Sequence, residues 1–82
     1  MPKGESAAAY SAAVAAILAE ERKARDVTFD ELAEDTGIAK RHLVRLLKGE
    51  ISLRVEDLYR VCEALGVAGF VVLRQAAKAT RG

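Results

Sequence analysis

The sequence has very few of the residues that build disulfides, metal sites and catalytic dyads. Its 82 residues include one cysteine, Cys62, and one histidine, His42. One cysteine cannot close a disulfide within the chain, and no second thiol or imidazole is available for a zinc site. A glycine-rich phosphate loop is also missing. We therefore expect no enzyme, no metal and no cofactor, and we expect Cys62 to be a small buried apolar residue.

Proline and long apolar runs are also scarce. The one proline is Pro2, so proline breaks no helix beyond the start of the chain. No apolar run approaches the roughly 20 residues that span a bilayer. The polar start MPKGES, followed by alanines, lacks the apolar core of a signal peptide. We therefore expect a cytoplasmic protein with no membrane partner.

What the sequence does contain is helical periodicity interrupted by glycines. Apolar residues at helical spacing predict helices over 6–25, 29–36, 39–48 and 54–65, and a last helix from 68–70 toward 82. Gly37, Gly49 and Gly66 are predicted to end the second, third and fourth helices, since glycine adopts the left-handed conformation at low cost. Thr28 followed by Glu31 predicts a capping box at the start of the second helix.

The same periodicity predicts which side chains are buried. Ile38 is expected to enter the core directly after the glycine turn. The third helix has a buried stripe of Leu43, Leu46 and Leu47, and the fourth turns inward Val55, Leu58, Val61, Cys62 and Leu65. The run FVVL, residues 70–73, also has the propensity of a strand, which could pair with its copy in a dimer. Helix is the first interpretation of that run, and strand is its alternative.

Charges of opposite sign are separated along the chain. The formal net charge is +1, yet residues 26–35 carry acids and no cation, and residues 40–54 carry cations with Glu50 as the exception. A local basic patch can bind polyanions even in a nearly neutral protein. Two short helices that join at a glycine, the second basic on the face opposite its leucines, fit helix-turn-helix geometry. The acids can then face away from nucleic acid or pair with the cations.

The stretch TFDELAEDTGIAKRHLVRLLKGEISLRVEDLYRVCEALGV resembles the Cro and phage-repressor-like (XRE-like) helix-turn-helix family. The matching landmarks are Glu31-Leu32-Ala33, Gly37-Ile38, Gly49 and Ala64-Leu65-Gly66-Val67. The resemblance covers about residues 12–73, with the helix-turn-helix at about 28–48. We expect residues 1–82 to form one domain. It implies an all-α, compact five-helix lambda-repressor-like fold. It also implies sequence-specific binding of double-stranded DNA by a protein that is a homodimer at least on DNA.

The resemblance and the charge pattern together assign candidate site residues. The candidates for base contacts, on the third helix, are Lys40, Arg41, His42 and Arg45. The candidates for phosphate contacts are Thr28, Lys48 and Arg54. The candidates for a dimer interface, which follow the four helices of the core, are Phe70, Val71, Val72 and Leu73. The plain alternative for the cations is an ordinary solvated helix face.

The chain departs from the family pattern at several positions. Phe29 replaces a polar residue, often glutamine, and Ala39 replaces a frequent Ser or Thr N-cap. Leu47 stands where the family often has a glutamate that pairs with an arginine of the first helix, so Arg22 is expected to be free for another role. Glu50 stands where a cation is common.

The expected function is transcriptional regulation by a small phage-type or prokaryotic repressor that inserts residues 39–48 into the major groove of an operator. The alternative is an antitoxin or antirepressor-type module, which would use the same fold to bind a protein. Binding to duplex DNA that weakens with salt would separate the two functions.

Overall fold

The computed structural model describes the backbone of residues 3–80 and the side chains of residues 7–80. This part of the chain forms five helices: α1 (Lys3–Ala24), α2 (Phe29–Thr36), α3 (Lys40–Leu47), α4 (Val55–Leu65) and α5 (Gly69–Thr80). The all-α prediction is confirmed. The strand alternative for residues 70–73 is wrong, because they lie in α5, where Val72 and Ala76 stack one turn apart and are both buried.

The helix ends follow from local backbone chemistry. Gly37 ends α2 with φ of 76°, and its N–H donates to the carbonyl of Ala33 at 2.9 Å. The predicted capping box at the start of α2 is confirmed. Thr28 Oγ1 accepts from the Glu31 N–H at 3.1 Å, and the Glu31 carboxylate accepts from the Thr28 N–H at 2.9 Å. This backbone hydrogen bond holds the pKa of Glu31 below its ordinary value.

One core lies between the helices. α1 packs along α5 and also contacts α3 and α4, while α2 contacts α3 and α4. The Tyr10 hydroxyl donates to the Leu73 carbonyl at 3.1 Å, which joins α1 to α5. Cys62 is buried as predicted, and burial raises the pKa of its thiol. The buried apolar side chains of the cluster are Val14, Leu18, Leu32, Ile38, Leu43, Leu47, Val61, Cys62, Leu65, Val72 and Ala76.

Val55 is the clearest error in the predicted core. The helical spacing predicted that its side chain is buried, but Val55 is 83% exposed. Val55 is the first residue of α4 and lies at the side of an open groove of about 460 Å³, which Val14, Leu53 and Leu58 also line. The buried residues of α4 lie further along the helix and are Val61, Cys62 and Leu65. None of the described helices is long and apolar enough to cross a membrane.

Candidate nucleic-acid interface

α3 divides its side chains between the core and the solvent. Leu43, Leu46 and Leu47 are buried and anchor the helix. The four candidates for base contacts are all exposed: Lys40, Arg41, His42 and Arg45. At about 100° of rotation per residue, Arg41 and Arg45 fall near the centre of the helix side opposite the leucines. The arrangement presents long cations on a rigid support.

The candidates for phosphate contacts surround this helix in the chain. Lys48 is the C-cap of α3 and Arg54 is the N-cap of α4, and both are exposed. The connection between these helices is tied to α1, because the Leu53 N–H donates to Ser11 Oγ at 3.2 Å. Thr28 is exposed, but its Oγ1 already accepts within the capping box. Its hydroxyl hydrogen is the part that could donate to a phosphate.

Two of the α3 cations have carboxylate partners. Lys40 Nζ lies 3.1 Å from Asp30 Oδ1, which links α3 to α2, and Arg45 Nε lies 3.7 Å from Glu50 Oε1. All four side chains are at least half exposed, so each pair contributes at most about 1 kcal/mol to stability. The sequence left open whether the acids of α2 face away from nucleic acid or pair with the cations, and the structure shows one such pair, Asp30 with Lys40. Glu50 was not predicted as the partner of Arg45.

Arg22 has another role, as the sequence predicted from the absence of a glutamate at position 47. Its Nη1 donates to the Val27 carbonyl at 2.9 Å, and its Cζ lies 4.2 Å from the centre of the Phe29 ring. Stacking of a guanidinium on an aromatic ring stabilises by about 0.5–2 kcal/mol. Position 47 is a leucine and cannot form an ion pair with Arg22. Arg22 instead contacts Phe29 and the Val27 carbonyl, and these contacts stabilise the turn between α1 and α2.

Comparisons with known proteins agree with this geometry. The sequence pattern of the helix-turn-helix family matches residues 18–69, more than half of the chain. A search of curated proteins gives no significant match. Among solved structures, the chain is similar to the clp gene regulator ClgR from C. glutamicum, with 34% identity and a TM-score of 0.78. The similarity covers 85% of this chain and 91% of that chain. With α3 exposed and basic after the Gly37 turn, the chain belongs to the helix-turn-helix family of DNA-binding regulators.

Proposed function

We propose that the chain regulates transcription by binding an operator in double-stranded DNA, with α3 inserted into the major groove. The observation that carries this proposal is the position of Arg41 and Arg45 on the side of α3 opposite its buried leucines. An α-helix with its side chains is about 10–12 Å wide, which fits a major groove of about 12 Å. The similarity to a protein named as a gene regulator supports a role in transcription.

We infer that the outcome of binding is repression of the small prokaryotic or phage type, because a protein seated on an operator blocks access to it. Such a protein works where the DNA is, in the cytoplasm with the nucleoid. A selection of bound duplexes from genomic fragments, followed by footprinting, tests the proposal. We expect one enriched sequence, whose association constant falls linearly with salt concentration on a log–log plot. Enrichment no better than that of random duplex would contradict the proposal.

Lys48 and Arg54 are expected to bind phosphates, because they are exposed at the end of α3 and the start of α4. Phosphate contacts position the protein without reading sequence. Replacing either residue with alanine should weaken binding to all duplexes to a similar extent. The slope of log K against log salt should become shallower by about 1 unit in a titration by fluorescence anisotropy.

Lys23→Ala is the matched control for this prediction. It removes one exposed cation from the last turn of α1, outside the candidate contacts. The control should keep the salt slope of the parent. If Lys48→Ala and Arg54→Ala also keep the parent slope, neither residue belongs to the interface.

We further propose that the protein binds its operator as a homodimer whose interface is centred on Phe70. One eight-residue reading helix spans only a few base pairs, and two-fold pairing places two such helices about 34 Å apart, one turn of duplex. Of the four candidates at residues 70–73, Phe70 is 71% exposed, whereas Val72 is 2% exposed and belongs to the core. Val71 and Leu73 are half-buried. Phe70 is therefore the residue of this run with the largest surface available to a partner.

Phe70→Glu is expected to convert a complex of two proteins on one palindromic operator into a complex of one protein with weaker binding. The added charge would be desolvated at an apolar interface. Native mass spectrometry of the complex measures the stoichiometry. Tyr59→Glu adds the same charge at another exposed aromatic residue, on α4, and should keep two proteins per operator. Two copies of Phe70→Glu on one operator would show that the dimer interface lies elsewhere. One copy of the parent protein on an operator that it binds tightly would exclude the dimer.

A protein partner is the second candidate function, and the open groove beside Val55 favours it. The groove is lined mainly by apolar side chains of α1, α4 and the preceding loop. Apolar grooves of this kind accept side chains of a partner. The same titration separates the two functions, because a module that binds only a protein would show no salt-dependent binding to duplex DNA.

A further inference from the structure

The end of α3 places Glu50 beside Arg45. Gly49 has φ of 76°, its N–H donates to the Leu46 carbonyl at 3.1 Å, and the Glu50 N–H donates to the Arg45 carbonyl at 3.0 Å. These are the two hydrogen bonds of the Schellman motif, which brings the residue after the glycine close to the residue five positions earlier. The side chains at these two positions are usually both apolar. Here they are an acid and a cation.

The end of α4 has the same motif with the usual side chains. The Val67 N–H donates to the Cys62 carbonyl at 3.0 Å, and the Gly66 N–H donates to the Glu63 carbonyl at 3.2 Å. At this end the paired positions hold Val67 and Cys62, which both pack at the core. The same backbone geometry therefore stabilises both helix ends, so the charged pair at the end of α3 is not needed to end the helix.

The ion pair leaves the reading edge of Arg45 available. The atom of Arg45 that pairs with Glu50 Oε1 is Nε, at 3.7 Å. The terminal Nη1 and Nη2 atoms form the edge that can donate to both O6 and N7 of a guanine. At this distance the carboxylate attracts the guanidinium without forming a hydrogen bond, so it favours orientations of Arg45 near Glu50 and leaves both terminal nitrogens able to donate. The helix end fixes the backbone of Glu50 next to Arg45, which keeps the carboxylate within reach of the guanidinium.

We propose that Glu50 is a positioning residue that sets the sequence specificity of Arg45, an inference that rests on the proposed function. In a specific complex, Glu50 orients the guanidinium toward a base. In a non-specific complex, where binding depends on phosphates, the carboxylate competes with phosphate for Arg45 and is itself repelled by the backbone. Both effects widen the difference in affinity between operator and random DNA.

The pair between Asp30 and Lys40 offers a comparison at the other end of α3. It is also an exposed ion pair, at 3.1 Å, and it also places a carboxylate near a candidate reading residue. An ammonium is a point charge with no fork to orient, unlike a guanidinium. We therefore expect Asp30 to oppose non-specific binding through its charge while leaving base preference unchanged.

The test compares Glu50→Gln with Asp30→Asn and Glu21→Gln, three variants that each remove one carboxylate charge from an exposed or partly exposed ion pair. Glu21 pairs with Arg25 within α1, outside the candidate contacts. Glu50→Gln should lower the preference for the base read by Arg45 by up to about fivefold, which is the limit for an exposed ion pair. It should also strengthen binding to random duplex and steepen the salt slope by about 1 unit. Asp30→Asn should strengthen random binding and keep the base preference, and Glu21→Gln should change neither quantity.

A double variant separates positioning from a local structural effect. If Glu50 acts through Arg45, Glu50→Gln should have no effect on base preference in an Arg45→Ala background. If Glu50→Gln still changes the base preference in the Arg45→Ala background, the inference is wrong. It is also wrong if Glu50→Gln alone keeps the base preference and the salt slope of the parent. If either result is found while the parent protein still prefers one DNA sequence, only the role of Glu50 is wrong and the proposed function stands. A parent without any sequence preference would overturn both.

Discussion

Val72→Glu is expected to unfold the chain, whereas Phe70→Glu on the same helix is expected to leave it folded. Val72 is 2% exposed and packs in the core. Burying a carboxylate without a partner costs several kcal/mol even after the structure relaxes. The total free energy of unfolding of a small domain is only about 5–15 kcal/mol, so this one change removes a large share of it.

Phe70→Glu is a close control for that prediction. It adds the same charge two residues away, at a position that is 71% exposed in the first turn of α5. An acid near a helix N-terminus interacts favourably with the helix dipole, so the control should melt within a few degrees of the parent. Thermal and urea unfolding followed by circular dichroism measure both variants. Cooperative unfolding of Val72→Glu at the parent's melting temperature would show that Val72 is not part of the core.

Arg41→Ala and Arg45→Ala are each expected to flatten the base preference at one position of each half-site. The two residues lie one turn apart on the exposed side of α3. A bidentate contact from arginine to guanine O6 and N7 is worth about 1–3 kcal/mol of discrimination against the wrong base. The loss should appear at one position for each variant, because each side chain reaches one base pair. Competition binding with all four bases at every operator position measures the effect.

Lysine variants separate base reading from charge. Arg41→Lys and Arg45→Lys keep the positive charge but lose the planar fork that bonds two acceptors at once. They should retain the parent's affinity for random duplex while losing much of the preference for guanine. If Arg41→Ala and Arg45→Ala both keep the full sequence preference of the parent, neither residue reads a base. The cations would then be an ordinary solvated helix face.

The sequence was most informative about the helix ends and the leucine stripe. Gly37, Gly49 and Gly66 all have positive φ and end their helices as predicted, because few other residues adopt that conformation at low cost. The burial of Leu43 and Leu46 follows from their spacing on a short helix. These features depend on chemistry within a few residues of the chain, which a sequence displays directly.

The errors arose where distant elements decide the outcome. Val55 fits the inward period of α4, but nothing in the sequence shows that the space facing it is open. The pair between Asp30 and Lys40 was only one of two open alternatives, because it depends on the angle between α2 and α3, which periodicity does not reveal. Glu50 is different, since the arginine four residues before Gly49 and the acid directly after it are visible in the sequence. That spacing, combined with a predicted glycine end, was a signal for the pair with Arg45.

Methylation interference at guanine N7 on the selected operator tests directly whether α3 enters the major groove. N7 lies in the major groove, where α3 is proposed to sit. With α3 in the groove, methylation should block binding at guanines in two clusters separated by about 10 base pairs, one for each subunit. Arg41→Ala or Arg45→Ala should remove the interference at one guanine of each cluster. Tight, sequence-specific binding that tolerates methylation at every N7 would contradict insertion of α3 into the major groove.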